Sequence, residues 1–103
     1  MFYRIYTVKL GSLANAKLAA AFFTETFEKD AHMLPVASIE IFFDSEGSLL
    51  IHVGATSMAA LKRFNKYGDA VLEELRESFV CKTDKFTTVS VFRFDQAKAK
   101  VAV

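Results

Sequence analysis

The sequence predicts an α+β fold in which a four-stranded antiparallel sheet carries two helices on one face. Three observations predict it. Apolar, aromatic and β-branched residues fill residues 2–10, 38–43, 48–53 and 86–94 in strand-length runs. Apolar residues recur at spacings of three and four after Leu13 and again after Met58. Between the second and third strands the turn DSEG, residues 44–47, is too short for anything but a hairpin.

The hairpin sets the register. Asp44 suits the first position of a type I turn, and Gly47 suits the left-handed residue that closes a three-residue loop. With Ser45, Glu46 and Gly47 as the loop, Asp44 faces Ser48. Counting outward sets Phe43 opposite Leu49, Ile41 opposite Ile51 and Ile39 opposite Val53 on one face. Phe42 then faces Leu50, and Glu40 faces His52, on the other. A one-residue slip would mix the two faces.

The remaining elements follow in chain order. Residues 2–10 read as the first strand and stop at Gly11 and Ser12. The first helix carries Leu18, Ala19, Phe22, Phe23 and Phe27 on one side and Lys17, Glu25 and Glu28 on the other, and it ends before Pro35. Thr56 or Ser57 caps a second helix with an apolar stripe of Met58, Leu61, Phe64, Val71, Leu72, Leu75 and Phe79. Gly68 followed by Asp69 predicts a kink or break near Tyr67. Residues 86–94, FTTVSVFRF, read as the last strand, with Thr87, Val89 and Val91 on the helix side and Phe92 and Phe94 on the other.

Strand, helix, strand, strand, helix, strand is the ferredoxin-like split βαβ plan. At 103 residues the chain makes one such domain, residues 1–95, with a tail at 96–103. Two helices cover only one side of the sheet. The other side, with Phe42, Leu50, Phe92 and Phe94, is too apolar for water, and a second copy packed sheet to sheet would bury it. Eleven phenylalanines and 52% hydrophobic residues in so short a chain point the same way.

Charge and cysteine content exclude several classes. A net charge of +1 lacks the attraction on which nucleic-acid binders depend. The third strand, SLLIHVG, has no basic-glycine-aromatic run of an RNA recognition motif. Amino-acid-binding regulatory domains share the topology, with Gly11 as their faint signature here. No run is apolar enough to span a membrane, and no export signal opens the sequence, so the cytoplasm is the expected location. Lone Cys81 makes no internal disulfide and, lacking a partner base, reads as an inert thiol. With two histidines and one cysteine, no metal spacing is present and no cofactor is implied.

The candidate site residues sit on the sheet. Glu40 beside His52 reads either as a carboxylate that orients a general base or as a cross-strand ion pair at a dimer interface. Tyr6 is placed with them as a hydrogen-bond donor, so that His52, Glu40 and Tyr6 form the catalytic candidates. Arg4, on the same face as Tyr6, either anchors an anionic ligand or pairs with an acid. Phe42, Leu50 and Phe92 supply an apolar lining. His32 reads as a solvated residue at the end of the first helix.

Across nearly the whole chain the pattern resembles a known superfamily. Pro35 stands just ahead of the hairpin, DSEG forms its turn, GATSMAALKRF at 54–64 joins strand end, serine cap and Ala-Leu-rich helix, and residues 65–75 carry a broken second half. This is similar to the dimeric α+β barrels that include the antibiotic biosynthesis monooxygenase-like domains. The resemblance implies a homodimer with sheets paired in a barrel and a small hydrophobic or aromatic ligand, turned over without a cofactor if there is chemistry. Members typically use a tryptophan near the end of the third strand, an asparagine on the first strand and, in haem degraders, a histidine on the second helix. This chain has no tryptophan, its asparagines are Asn15 and Asn65, and its second helix has no histidine. The resemblance therefore implies the dimer and cavity more than oxygenase chemistry, and the rival reading is an assembly or regulatory module without turnover.

Overall fold

The computed structural model describes residues 1–96. Seven elements follow in order: β1 (Phe2–Lys9), α1 (Leu13–Asp30), a 3-10 turn (Ala31–Met33), β2 (Ser38–Phe43), β3 (Ser48–Ala55), α2 (Met58–Ser78) and β4 (Lys82–Val89). The sheet order is β2-β3-β1-β4 with every neighbour antiparallel, which is the ferredoxin-like βαββαβ fold. The tail predicted at 96–103 lies outside the described residues apart from Gln96.

The hairpin takes the register that its turn dictates. Ile39 pairs with Val53, Glu40 with His52, Ile41 with Ile51, Phe42 with Leu50 and Phe43 with Leu49. One carboxylate oxygen of Asp44 accepts from the Glu46 and Ser48 amides at 2.9 and 3.0 Å, and the Asp44 amide donates to the Ser48 carbonyl at 3.0 Å. Gly47 closes the loop at φ +92°. It also does something that local sequence does not announce: a Cβ there would lie 2.4 Å from the Ser12 backbone nitrogen. The turn is pressed against the start of α1, and the Gly47 carbonyl accepts from the Leu10 amide at 2.8 Å.

Both helices are capped by serine hydroxyls. Ser12 Oγ accepts from the Asn15 amide at 3.1 Å, and Ser57 Oγ accepts from the Ala60 amide at 3.2 Å. The buried side of α1 runs through Ala16, Ala19, Phe23 and Phe27. Leu18, expected on that side, is 61% exposed, because one residue is about 100° of helix rotation from Ala19. The alanines bring α1 close to the sheet, and the phenylalanines fill the space toward α2, with Phe23 and Phe27 stacked at 5.8 Å.

Helix α2 is unbroken across Gly68, which corrects the expected break near Tyr67. The glycine is there for packing. A Cβ at Gly68 would come within 2.6 Å of the Tyr6 hydroxyl and 3.0 Å of Phe64 Cε1. Removing that methyl lets α2 settle on β1, and this burial outweighs glycine's cost inside a helix, about 1 kcal/mol. Beside it, the Tyr67 hydroxyl donates to Asp30 Oδ2 at 2.8 Å and ties α2 to the end of α1.

The last strand begins four residues and ends five residues earlier than the apolar pattern suggested, at Lys82–Val89 rather than 86–94. It follows β1 residue for residue, from Lys82 opposite Lys9 to Val89 opposite Phe2, and the Ser90 amide donates to the Met1 carbonyl at 2.9 Å. The backbone pairing with β1, rather than side-chain hydropathy, sets its span, and Val91, Phe92 and Phe94 lie past it and are exposed. Val89 does share the helix side with Thr87, as expected, but both are exposed at that end of the edge strand.

Substitutions at three glycines test this packing. Gly47→Ala should cost at least about 2 kcal/mol in urea unfolding, from positive φ plus the clash with Ser12. Gly11→Ala, at φ +80° with open space around it, should cost only the backbone part, and equal losses would contradict the docking of the turn. Gly68→Ala should destabilise by about 1–3 kcal/mol despite alanine's better propensity, and adding Tyr6→Phe should recover part of it. A fully additive double variant would show that Tyr6 is not what Gly68 accommodates.

Candidate functional site

The sheet sorts its side chains through β1, the strand in the middle. Tyr6 pairs with Ile51 and Arg4 with Val53, so both share the helix-covered face with the aliphatic side of the hairpin. Ile5 pairs with His52 and Thr7 with Leu50, so the odd residues of β1 share the open face. Across to β4, Phe86 pairs with Ile5, and Thr88 with Tyr3. The structure thus separates residues expected together. Glu40, His52, Phe42 and Leu50 lie on the open face, and Arg4 and Tyr6 lie beneath the helices.

On the open face, Ile5, Phe42 and Leu50 flank His52, Phe86 lies one strand beyond Ile5, and Phe42 and Phe86 are both about half exposed. Glu40 and His52 face each other in register, yet among the described residues no hydrogen bond or ion pair joins them. The imidazole lies instead against the Phe42 ring, with centroids 5.0 Å apart and planes at 56°. An orienting hydrogen bond to a general base is therefore not formed in this chain by itself. Phe92, expected as part of the lining, is 83% exposed past the end of β4.

The covered face holds the more unusual electrostatics. Arg4 is only 9% exposed, and among the described residues its Nε is buried without a hydrogen-bond partner, as are the Tyr6 hydroxyl and Asn65 Oδ1 on α2. Burial pushes the Tyr6 phenol up to about 12, with the Arg4 charge opposing the rise and the Asp69 charge adding to it. Tyr67 is likewise pushed up, by burial and by its bond to Asp30. Asp69 itself is held by Lys85, whose Nζ lies 2.9 Å from its carboxylate. A small space of about 10 Å³ beside Tyr6, Phe64 and Gly68 has room for roughly one water.

Sequence reasoning missed Asn65, whose one signal was a polar residue one turn from Leu61 in an apolar stripe. It also missed Ile5 and Phe86 as part of the open face, because their neighbours are set by β1 pairing. Cys81 is a half-buried free thiol in an open groove of about 630 Å³ formed with Lys9, Phe79 and Lys82. Among the described residues no three His, Cys, Asp or Glu side chains gather as metal ligands, and no helix is long and apolar enough to cross a membrane.

No protein-family model and no curated protein matches the chain in sequence. Solved structures do match in shape. A dimeric ferredoxin-like protein from an uncultured marine organism superposes with a TM-score of 0.69 at 15% identity, over 93% of this chain and 100% of that one. An antibiotic biosynthesis monooxygenase superposes with a TM-score of 0.66 at 14% identity, over 88% of this chain and 99% of that one. A Deinococcus radiodurans protein assigned as an antibiotic biosynthesis monooxygenase gives 0.64 at 12% identity, over 92% and 99%. At these identities the likeness is one of fold, and the architecture is that of the antibiotic biosynthesis monooxygenase-like, ferredoxin-like structures.

Proposed function

We propose that the chain is one protomer of a homodimer whose sheets face each other across their open sides in an α+β barrel, and that the enclosed space binds a small hydrophobic or aromatic molecule. The observation that carries this reading is the uncovered sheet face. Ile5, Phe42, Leu50 and Phe86 present apolar surface that neither helix shields, beside an imidazole and a carboxylate that, among the described residues, engage no other side chain by hydrogen bond or ion pair. A second copy removes that surface from water at about 25 cal/mol per Å² of apolar area. The similarity to a dimeric ferredoxin-like protein supports the same assembly.

Within the dimer, Glu40 and His52 are the polar groups available to a ligand among apolar walls. Excluding water strengthens their mutual attraction, and a small side-chain rotation would bring the carboxylate onto the imidazole. His52 then serves as the base in a reaction of the monooxygenase-like, cofactor-independent kind, with Glu40 orienting it. Tyr6 takes no direct part, since it lies beneath the helices. The second reading, a dry interface in an assembly module without turnover, is favoured by the packing of Phe42 directly against the His52 ring.

One variant tests the dimer that both readings share, and a second separates them. Leu50→Glu places a charge in the middle of the apolar face and should weaken the dimer by roughly 100-fold, or about 2.7 kcal/mol, in sedimentation experiments. A wild type that stays monomeric at every concentration would contradict both readings. His52→Ala should abolish the fluorescence enhancement of the neutral probe N-phenyl-1-naphthylamine while leaving the dimer intact. If it weakens the dimer and the wild type gives no enhancement, the dry interface is correct.

A further inference from the structure

We infer that residues 90–95, SVFRFD, add a fifth strand to the outer edge of β2 in a second copy of the chain. This exchange rests on the homodimer proposed above and gives each protomer a part of its partner's sheet. The sheet has two edges, β2 and β4. An open edge presents unpaired amides and carbonyls, and natural edges are commonly blunted by charge. β4 is blunted in this way by Lys82, Asp84 and Lys85, whereas β2, SIEIFF, carries Glu40 alone. The Asp44 amide bonds to the Ser48 carbonyl, so alternation along the ladder turns the backbone groups of Glu40 and Phe42 toward β3. The amides and carbonyls of Ile39, Ile41 and Phe43 then point outward, and among the described residues no strand pairs with them.

The segment 90–95 has the character of a strand but no place in its own sheet. Val91, Phe92 and Phe94 are exposed directly after β4, and β-branched and aromatic residues are those that pack well on a pleated surface. In an extended segment Phe92 and Phe94 fall on one side and Val91, Arg93 and Asp95 on the other, and Arg93 does lie 3.8 Å from Asp95. Each side has a match at β2. On the helix side an open groove of about 300 Å³ beside Ile39 is lined by Leu34, Val36 and Glu28, offering an apolar seat for Val91 and a carboxylate for Arg93. On the open side Phe92 and Phe94 come next to the half-exposed Phe42, so the partner supplies aromatic lining that the segment does not give its own sheet.

Reach decides which copy is paired. Ser90 is held to Met1, and the vacant position outside β2 is four strand spacings from β4, about 19 Å. Six extended residues span about 20 Å, so crossing to the chain's own β2 would consume the whole segment and leave nothing to lie along the edge. Pairing with a second copy requires no such crossing.

Amide hydrogen exchange on the full chain, at concentrations where sedimentation shows a dimer, tests the exchange of segments. The Ile39, Ile41 and Phe43 amides should exchange about tenfold faster in Phe92→Pro than in the wild type, while those of Glu40, Phe42 and β1 keep their rates. The substitution lies outside the chain's own sheet and should leave the fold intact. Isotope-filtered Overhauser spectra of mixed labelled and unlabelled wild type give a readout free of any variant: contacts between protomers should join residues 91–94 to Ile39 and Ile41. Equal exchange rates in the two proteins, or contacts from 91–94 to β2 within one protomer, would overturn the inference, and contacts between protomers from Ile5 and Leu50 would then leave the open-face reading standing. Contacts between protomers from 91–94 without any from Ile5 and Leu50 would support the exchange and contradict the open-face reading, and a chain monomeric at every concentration would overturn both.

Discussion

The close approach of Gly47 to the backbone of Ser12 is the constraint on which the rest of the structure depends. It fixes two things at once. The left-handed glycine closes the β2–β3 turn in a single register, and its missing side chain lets that turn rest on the entry to α1. Once β3 is set, its pairing with β1 decides that Arg4 and Tyr6 point to the helices and that Ile5 and Thr7 point away. A shift of one residue anywhere in this sequence of dependencies would exchange the two faces. The position of every candidate functional group follows from it.

The two faces differ in chemistry as well as in cover. The helix side is a packed core in which Phe23, Phe64, Leu61 and Leu75 are almost fully buried, yet among the described residues Arg4 Nε, the Tyr6 hydroxyl and Asn65 Oδ1 are buried there without hydrogen-bond partners. The open side is mostly apolar yet uncovered, and an apolar partner is what it lacks.

Legibility in the sequence followed how local each decision was. Asp44 and Gly47 lie three residues apart, so the hairpin and the Glu40–His52 alignment could be read directly. The face of Arg4 and Tyr6 could not, because β1 is apolar on both sides and its orientation is settled by a strand more than forty residues away. Gly68 looked like a helix break because its cost is local, while its benefit, the seat for Tyr6, is tertiary. The limits of β4 were hidden in a similar way. The polar run KTDKFTTV pairs along β1, and the more strand-like Val91, Phe92 and Phe94 find no partner there. The catalytic alignment was half legible: the register placed His52 against Glu40, but the imidazole packs on Phe42.

The central claim is that β1 divides the molecule into a helix-covered face and an open face that meets a second copy. Isotope-filtered nuclear Overhauser spectroscopy on a mixture of labelled and unlabelled protein tests it most directly. The account predicts contacts between protomers from Ile5, Phe42, Leu50 and Phe86, with none from Leu18 or the exposed side of α1. Contacts between protomers confined to the helices, or their absence at concentrations where the protein is dimeric, would contradict it.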